Sequence, residues 1–129
     1  MTPHFFLVVA GSRTFDDYEY LCEMVDKAVK NKLDKHRIVI ISGGARGADE
    51  LGERYARERG FQQMIVPANW EALGKVAGPA RNELMGMVTD AACLFWDGSS
   101  KGTAHMRSVM DTIGKPYRLF KYLEKKNGN

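Results

Sequence analysis

Arg37-Ile38-Val39-Ile40-Ile41-Ser42-Gly43-Gly44-Ala45-Arg46-Gly47-Ala48-Asp49 is the stretch that decides the fold. An apolar run of strand type empties into a loop holding three glycines, and an amphipathic helix begins directly behind it. Glycine turns at positive φ without steric cost and lets a ligand come within hydrogen-bonding reach of backbone N–H groups. A helix start leaves about four N–H groups unpaired and carries partial positive charge. Together these features make an anion site, best suited to a phosphate. No Lys-Ser/Thr follows, so the loop is not a Walker A motif, and its spacing is not that of G-x-G-x-x-G. From this stretch alone, a plain strand–glycine–helix turn reads equally well.

The same alternation runs through the chain. Strand-like runs cover Phe5 to Ala10, Ile38 to Ile41, Gln63 to Val66, Ala91 to Trp96 and Pro116 to Phe120. Their near-continuous apolar character suits a parallel sheet covered on both faces. Four helical stripes lie between them. Tyr18, Leu21, Cys22, Val25 and Val29 form the first behind the capping pair Asp16 and Asp17, and Ala48, Leu51, Tyr55 and Ala56 form the second, closed by Gly60. Leu84, Met85 and Val88 follow Pro79 in the third, and Met106, Val109, Met110 and Ile113 make the fourth, stopped by Gly114 and Pro116. The prediction is a doubly wound α/β domain over residues 1–122, with a frayed charged tail over 123–129.

The chain of 129 residues carries a net charge of +3. That permits an anionic ligand but is mild for a nucleic-acid binder, and no basic-aromatic groove stands out, which argues against single-stranded nucleic acid as a partner. Cys22 and Cys93 sit in apolar surroundings without a C-x-x-C and read as reduced core thiols of a cytoplasmic protein. The first apolar run is too short to span a bilayer and lacks the flanks of a signal peptide, so no membrane partner is expected. No His/Cys/Asp cluster has ligand spacing, and neither a metal nor a cofactor is predicted.

In doubly wound sheets, ligands bind beyond the carboxyl ends of the strands. The unusual residues collect there: Gly11, Ser12 and Arg13 after the first strand, then Gly43, Gly44, Arg46, Gly47, Ala48 and Asp49 after the second. Lys75 and then Arg81 and Asn82 follow the third, and Asp97, Gly98, Ser99, Ser100, Lys101, Gly102 and Thr103 follow the fourth. Arg13, Arg46, Lys75, Arg81 and Lys101 face only Asp49, Glu50 and Asp97, an excess that an anion would offset. Asp49 reads either as a helix-dipole acid or as a partner for ribose hydroxyls or for Arg13 or Arg46. Asp97 reads as an Asx-turn residue or a functional acid. Trp70 and Trp96 are both candidates to stack a base, though Trp96 reads rather as core, and His105 is a candidate general base that reads rather as structural or solvated. Arg81 sits early in a helix, where a cation opposes the dipole, and that placement invites a functional role.

Val9-Ala10-Gly11-Ser12-Arg13, the Ser42 to Asp49 loop, Ala77-Gly78-Pro79-Ala80-Arg81-Asn82 and Asp97 to Thr103 together resemble the YspA/YpsA-related branch of the SLOG superfamily. The resemblance implies a Rossmann-like sheet of order 3-2-1-4-5, a site for a nucleotide or nucleotide derivative, and self-association as a homodimer. Related LOG-type phosphoribohydrolases carry R-K-x-x-M and P-G-G-x-G-T-x-x-E. Arg81-Asn82-Glu83-Leu84-Met85 resembles the first with asparagine for lysine, and Met106 stands where the glutamate of the second would be. A thioether neither stabilises an oxocarbenium-like transition state nor activates water. The expected function is therefore nucleotide binding, by a sensor or sequestering module. The alternative is hydrolysis of an N-glycosidic or phosphoester bond, with Arg81 assisted by Asp49, Glu83 or Asp97.

Overall fold

A computed structural model describes residues 1–123. Five parallel strands, β1 (His4–Gly11), β2 (Arg37–Ser42), β3 (Gln62–Ile65), β4 (Ala91–Trp96) and β5 (Tyr117–Lys121), form one sheet of order β3-β2-β1-β4-β5. The order 3-2-1-4-5 expected for a Rossmann-like sheet is the one observed. Helices α1 (Tyr18–Val29) and α2 (Ala48–Arg59) cover one face, and α4 (Ala77–Val88) and α5 (Lys101–Ile113) the other.

Alternation along β1 sorts the core. Leu7 and Val9 point to the α1/α2 side and join Leu21, Val25, Val29 and Tyr55. Val8 and Ala10 point to the other side, against Met85, Met106 and Met110. Each fully buried aliphatic side chain contributes about 1.5–3 kcal/mol, so β1, buried on both faces, is the axis of the fold. Helix α2 lies close to it because Gly52 has no side chain: a Cβ there would fall 2.8 Å from Val9 Cγ1.

Several expectations need correction. Among the described residues there are five α-helices rather than four, because α3 (Trp70–Leu73) precedes α4, with a 3-10 turn over Gly74–Val76 between them. On α4 the stripe is different too: Leu84 and Val88 are exposed, whereas Gly78, Asn82, Met85 and Gly86 are buried. Gly86 lies so close to α5 that a Cβ would come 2.6 Å from Val109 Cγ1, and this close approach rotates α4 away from its apolar periodicity. Strand β3 is an edge strand with three of its four residues exposed, starting one residue earlier than expected. At the end of the domain, Lys121 ends β5, one residue past the expected Phe120, and the Tyr122 N–H donates to the Trp96 carbonyl at 3.1 Å. Residues 124–129, within the stretch expected to fray, lie outside the described residues.

The expected caps form. Asp17 Oδ1 accepts from the Tyr20 N–H at 3.1 Å, and Gly60 and Gly114 end α2 and α5 in the left-handed conformation. Among the described residues no helix is long and apolar enough to cross a membrane.

Candidate functional site

Strand order reverses between β1 and β4, and a cleft of about 530 Å³ opens at their carboxyl ends. Ser12 joins the two strand ends: its N–H donates to the Phe95 carbonyl at 2.8 Å and its Oγ accepts from the Asp97 N–H at 3.1 Å. It is buried and does not line the cleft. Gly11, Arg13, Ala45, Asp49, Arg81, Asn82, Asp97, Ser100, Gly102 and Thr103 do line it, together with Trp70, Lys75, Lys101, His105 and Met106. A second lobe of about 320 Å³ adjoins it and adds Gly43, Gly44 and Arg46, with Arg13, Ala45, Trp70 and Arg81 shared between the lobes.

The first glycine loop is largely closed on itself. The Asp49 carboxylate accepts from the N–H groups of Gly11 at 3.2 Å and Gly43 at 3.1 Å, with a longer contact of 3.5 Å to Ala45. Ser42 Oγ accepts from the Gly44 N–H at 3.0 Å, and the Ala48 N–H donates to the Ser12 carbonyl at 3.3 Å. Gly47, at φ +77°, lets the chain pass against Ser12 and Arg13, where any Cβ would collide with their backbone. Asp49 thus binds the loop rather than Arg13 or Arg46. Burial pushes its carboxyl up to about 6, against the opposing pull of Arg81 and the three N–H groups.

The loop after β4 is arranged differently. Asp97 Oδ1 accepts from the N–H groups of Ser99 at 2.9 Å and Ser100 at 2.8 Å, forming an Asx turn that aims the start of α5 at the cleft. Burial acts against ionisation, yet these N–H groups hold the Asp97 carboxyl below its usual range. Ser100, the residue before α5, makes no side-chain cap, and the first turn of the helix at Lys101, Gly102 and Thr103 lines the cleft. N–H groups without intrahelical partners and the positive end of the helix dipole therefore meet the cleft here. Gly98, at φ +90°, and Ser99 are exposed and form the turn without lining the cleft. Trp96 donates its indole N–H to the Ser100 carbonyl at 2.9 Å and so braces the same turn.

Arg81 ties the first loop to α4, and its neighbour Asn82 carries the connection on to the Gly102 carbonyl at the start of α5. Arg81 Nη1 donates to the Gly43 carbonyl at 2.6 Å and its Nε to Asn82 Oδ1 at 2.9 Å. Among the described residues, none of Arg13, Arg46, Lys75, Arg81 and Lys101 forms a salt bridge. Trp70, exposed by 53%, stands on Gly78 at the rim, where a Cβ would lie 3.1 Å from its ring. Of the carboxylates considered for catalysis, Asp49 is committed to backbone N–H groups, Glu83 is exposed on α4 outside the cleft, and Asp97 lines it. Met106 is buried on the cleft floor. Sequence reasoning left out Thr14 and set aside the general-base reading of His105, although both residues line the cleft. The only available signal for His105 was its spacing, one helical turn after Lys101 and Gly102.

A model of the YspA, cpYpsA-related SLOG family, YAcAr, matches residues 6–72, which span β1 through the start of α3. This chain is a YAcAr protein. A relative in the same size class is the Gene 61 protein of Mycobacterium phage D29, 32% identical over 120 residues, covering 85% of this chain and 91% of that protein. Among solved structures, the YAcAr chain resembles DNA processing protein A (DprA) from Streptococcus pneumoniae, with a TM-score of 0.67 and 17% identity over 91% of this chain. It spans 50% of that DprA. DprA from Helicobacter pylori gives a TM-score of 0.65 at 18% identity, covering 99% of this chain and 68% of the other, and its structure is described as revealing a single-stranded DNA binding mode. TM1055 gives a TM-score of 0.62 at 19% identity over 88% of this chain and 72% of that protein.

The Helicobacter pylori protein corrects the expectation that argued against single-stranded nucleic acid. A fold that carries such a binding mode in a similar structure is not excluded from it by a mild net charge. Local charge decides electrostatic attraction, and Arg13, Lys75, Arg81 and Lys101 all gather on one cleft of the YAcAr chain.

Proposed function

We propose that the protein binds a nucleotide or nucleotide derivative in the cleft at the carboxyl ends of β1 and β4, acting as a sensor or sequestering module. The observation that carries this reading is the set of cations around a cleft into which α5 opens uncapped, cations that form no salt bridge among the described residues. A phosphate at the first turn of α5 meets N–H groups, the helix dipole, the Ser100 and Thr103 hydroxyls and Lys101. Trp70 offers a ring face to a base at the rim, and the ionised Asp97 accepts hydrogen bonds from ribose hydroxyls.

Isothermal titration against nucleoside mono- and diphosphates, cyclic nucleotides and ribose 5-phosphate tests the reading, with a single-stranded oligodeoxynucleotide in the same panel. Micromolar binding of at least one nucleotide is expected. Absence of binding across the small-molecule panel overturns the reading, and binding of the oligonucleotide alone replaces it.

Hydrolysis is the alternative, and one observation favours it: Asp97 is an ionised carboxylate on the cleft wall. Incubation with nucleoside monophosphates followed by chromatography separates the two. Free base or phosphate released by the wild type and lost in Asp97→Asn establishes turnover; nucleotides recovered intact leave binding.

A further inference from the structure

We propose that His105 is the hydrogen-bond donor that orients the ligand in this cleft, held by Asn82 as the neutral imidazole with its proton on Nε2, and that it contacts an uncharged acceptor on the nucleoside part of the ligand. The contact rests on the nucleotide reading above; the tautomer does not.

Asn82 is buried, and its amide has no freedom to flip. Its oxygen accepts from Arg81 Nε at 2.9 Å, and a guanidinium only donates. Its nitrogen lies 3.2 Å from the Gly102 carbonyl, which only accepts. Reversing the amide would break both bonds at once. The second N–H of the same nitrogen faces His105 Nδ1 at 3.2 Å. With a donor opposite it, Nδ1 carries the lone pair, and the ring proton resides on Nε2. An imidazolium would set N–H against N–H, and a flipped ring would leave a buried amide proton against C–H. Arg81 fixes Asn82, and Asn82 fixes His105; Asn82 is a positioning residue.

Nδ1 being engaged by Asn82, Nε2 is the nitrogen left for a ligand. His105 lines the same cleft as Met85 and Met106, and the formal positive charge there is carried by Arg13, Lys75, Arg81 and Lys101 rather than by this neutral ring. Charged oxygens of a phosphate are served by those cations and by the start of α5. A neutral donor in a cleft that thioethers also line suits a ribose oxygen, a base carbonyl or a base ring nitrogen.

Long-range proton–nitrogen correlation spectra of the full chain at pH 7.5 read the tautomer directly, with the His105 signals assigned by their loss in His105→Phe. The wild type is expected to show the Nε2–H pattern, and Asn82→Asp, whose carboxylate accepts a proton from Nδ1, to lose it. An Nδ1–H or imidazolium pattern in the wild type overturns the proposal, as does an unchanged pattern in Asn82→Asp. Calorimetry with AMP, GMP, CMP and UMP, and separately with inorganic phosphate, tests the contact. His105→Phe keeps a ring without a donor and is expected to weaken the best nucleotide about 10-fold while leaving phosphate unchanged. Equal affinity of wild type and His105→Phe for that nucleotide, or equal weakening for phosphate, overturns it. Failure of the wild type to bind any of the four nucleotides is a different outcome: it removes the nucleotide reading and the contact with it, while the spectra still decide the tautomer.

Discussion

Arg81 and Asp49 hold the same residue by its two polar groups. Arg81 Nη1 donates to the Gly43 carbonyl at 2.6 Å, and Asp49 Oδ2 accepts from the Gly43 N–H at 3.1 Å. The end of β2 is thereby tied to α4 and to the first turn of α2, and the cleft wall becomes a fixed surface.

Gly43→Ala tests that arrangement. A Cβ there would lie 2.7 Å from Asp49 Oδ2 and 2.9 Å from Arg81 Cζ, and both side chains are hydrogen-bonded in place. A stability loss of roughly 1–3 kcal/mol in urea denaturation is expected, together with at least a 10-fold loss of nucleotide affinity. An unchanged urea midpoint would show that the two side chains give way freely.

The pH dependence of stability carries the mark of Asp49. Its folded carboxyl, pushed up from 3.8 to about 6 by burial, binds more protons than the unfolded chain between those values. Stability from this group is therefore fully present below the unfolded value and is lost as pH rises to about 6. Asp49→Asn does not titrate. The wild-type stability relative to Asp49→Asn should fall by an amount of order 2 kcal/mol between pH 4 and 6.5, then level off above about pH 7. Denaturant curves at several pH values measure this; a difference that rises with pH contradicts it.

Lys115 closes the far end of α4. Its ammonium donates to the carbonyls of Gly86 at 2.8 Å, Met87 at 3.0 Å and Thr89 at 2.8 Å, where the helix dipole is negative. Lys115→Met keeps the stem and removes the donors. A loss of about 1–3 kcal/mol is expected, against a negligible change for the exposed Lys35→Met. Thermal unfolding of the two variants side by side decides it.

Lys101→Ala should weaken nucleotide binding several-fold at low salt and flatten its dependence on ionic strength, because one cation is removed from the first turn of α5. Titration at two salt concentrations provides the comparison. A salt dependence identical to that of the wild type would place the anion elsewhere in the cleft.

Much of the fold was legible in the sequence. The run Phe5 to Ala10 carries apolar residues at every position, and both faces of β1 are indeed covered. Asp17, Gly60 and Gly114 act as the caps their residue types imply. Helix α4 was less legible, because Leu84, Met85 and Val88 gave a stripe that the close approach of Gly86 to Val109 overrides. At the site, the loops were legible as places and much less as roles. Asp49, Ser12 and Asn82 all stand where the ligand space is built, but Asp49 and Ser12 spend their hydrogen bonds on the protein, and Asn82 spends its own on Arg81, Gly102 and His105.

By itself the sequence determined the strand and helix periods, the caps and the glycine turns, since each depends on residues a few positions apart. The parallel character of the strands and the gathering of cations at their carboxyl ends follow from the alternation of those elements, while the order 3-2-1-4-5 was what the family resemblance implied. Only the tertiary structure decided which N–H groups remain for a ligand. The N–H groups of Gly11 and Gly43 go to Asp49, the Asp97 N–H goes to Ser12, and the start of α5 is left open. Those partners lie up to 85 positions apart, and a hydrogen bond between distant residues exists only once the sheet has brought its strand ends together.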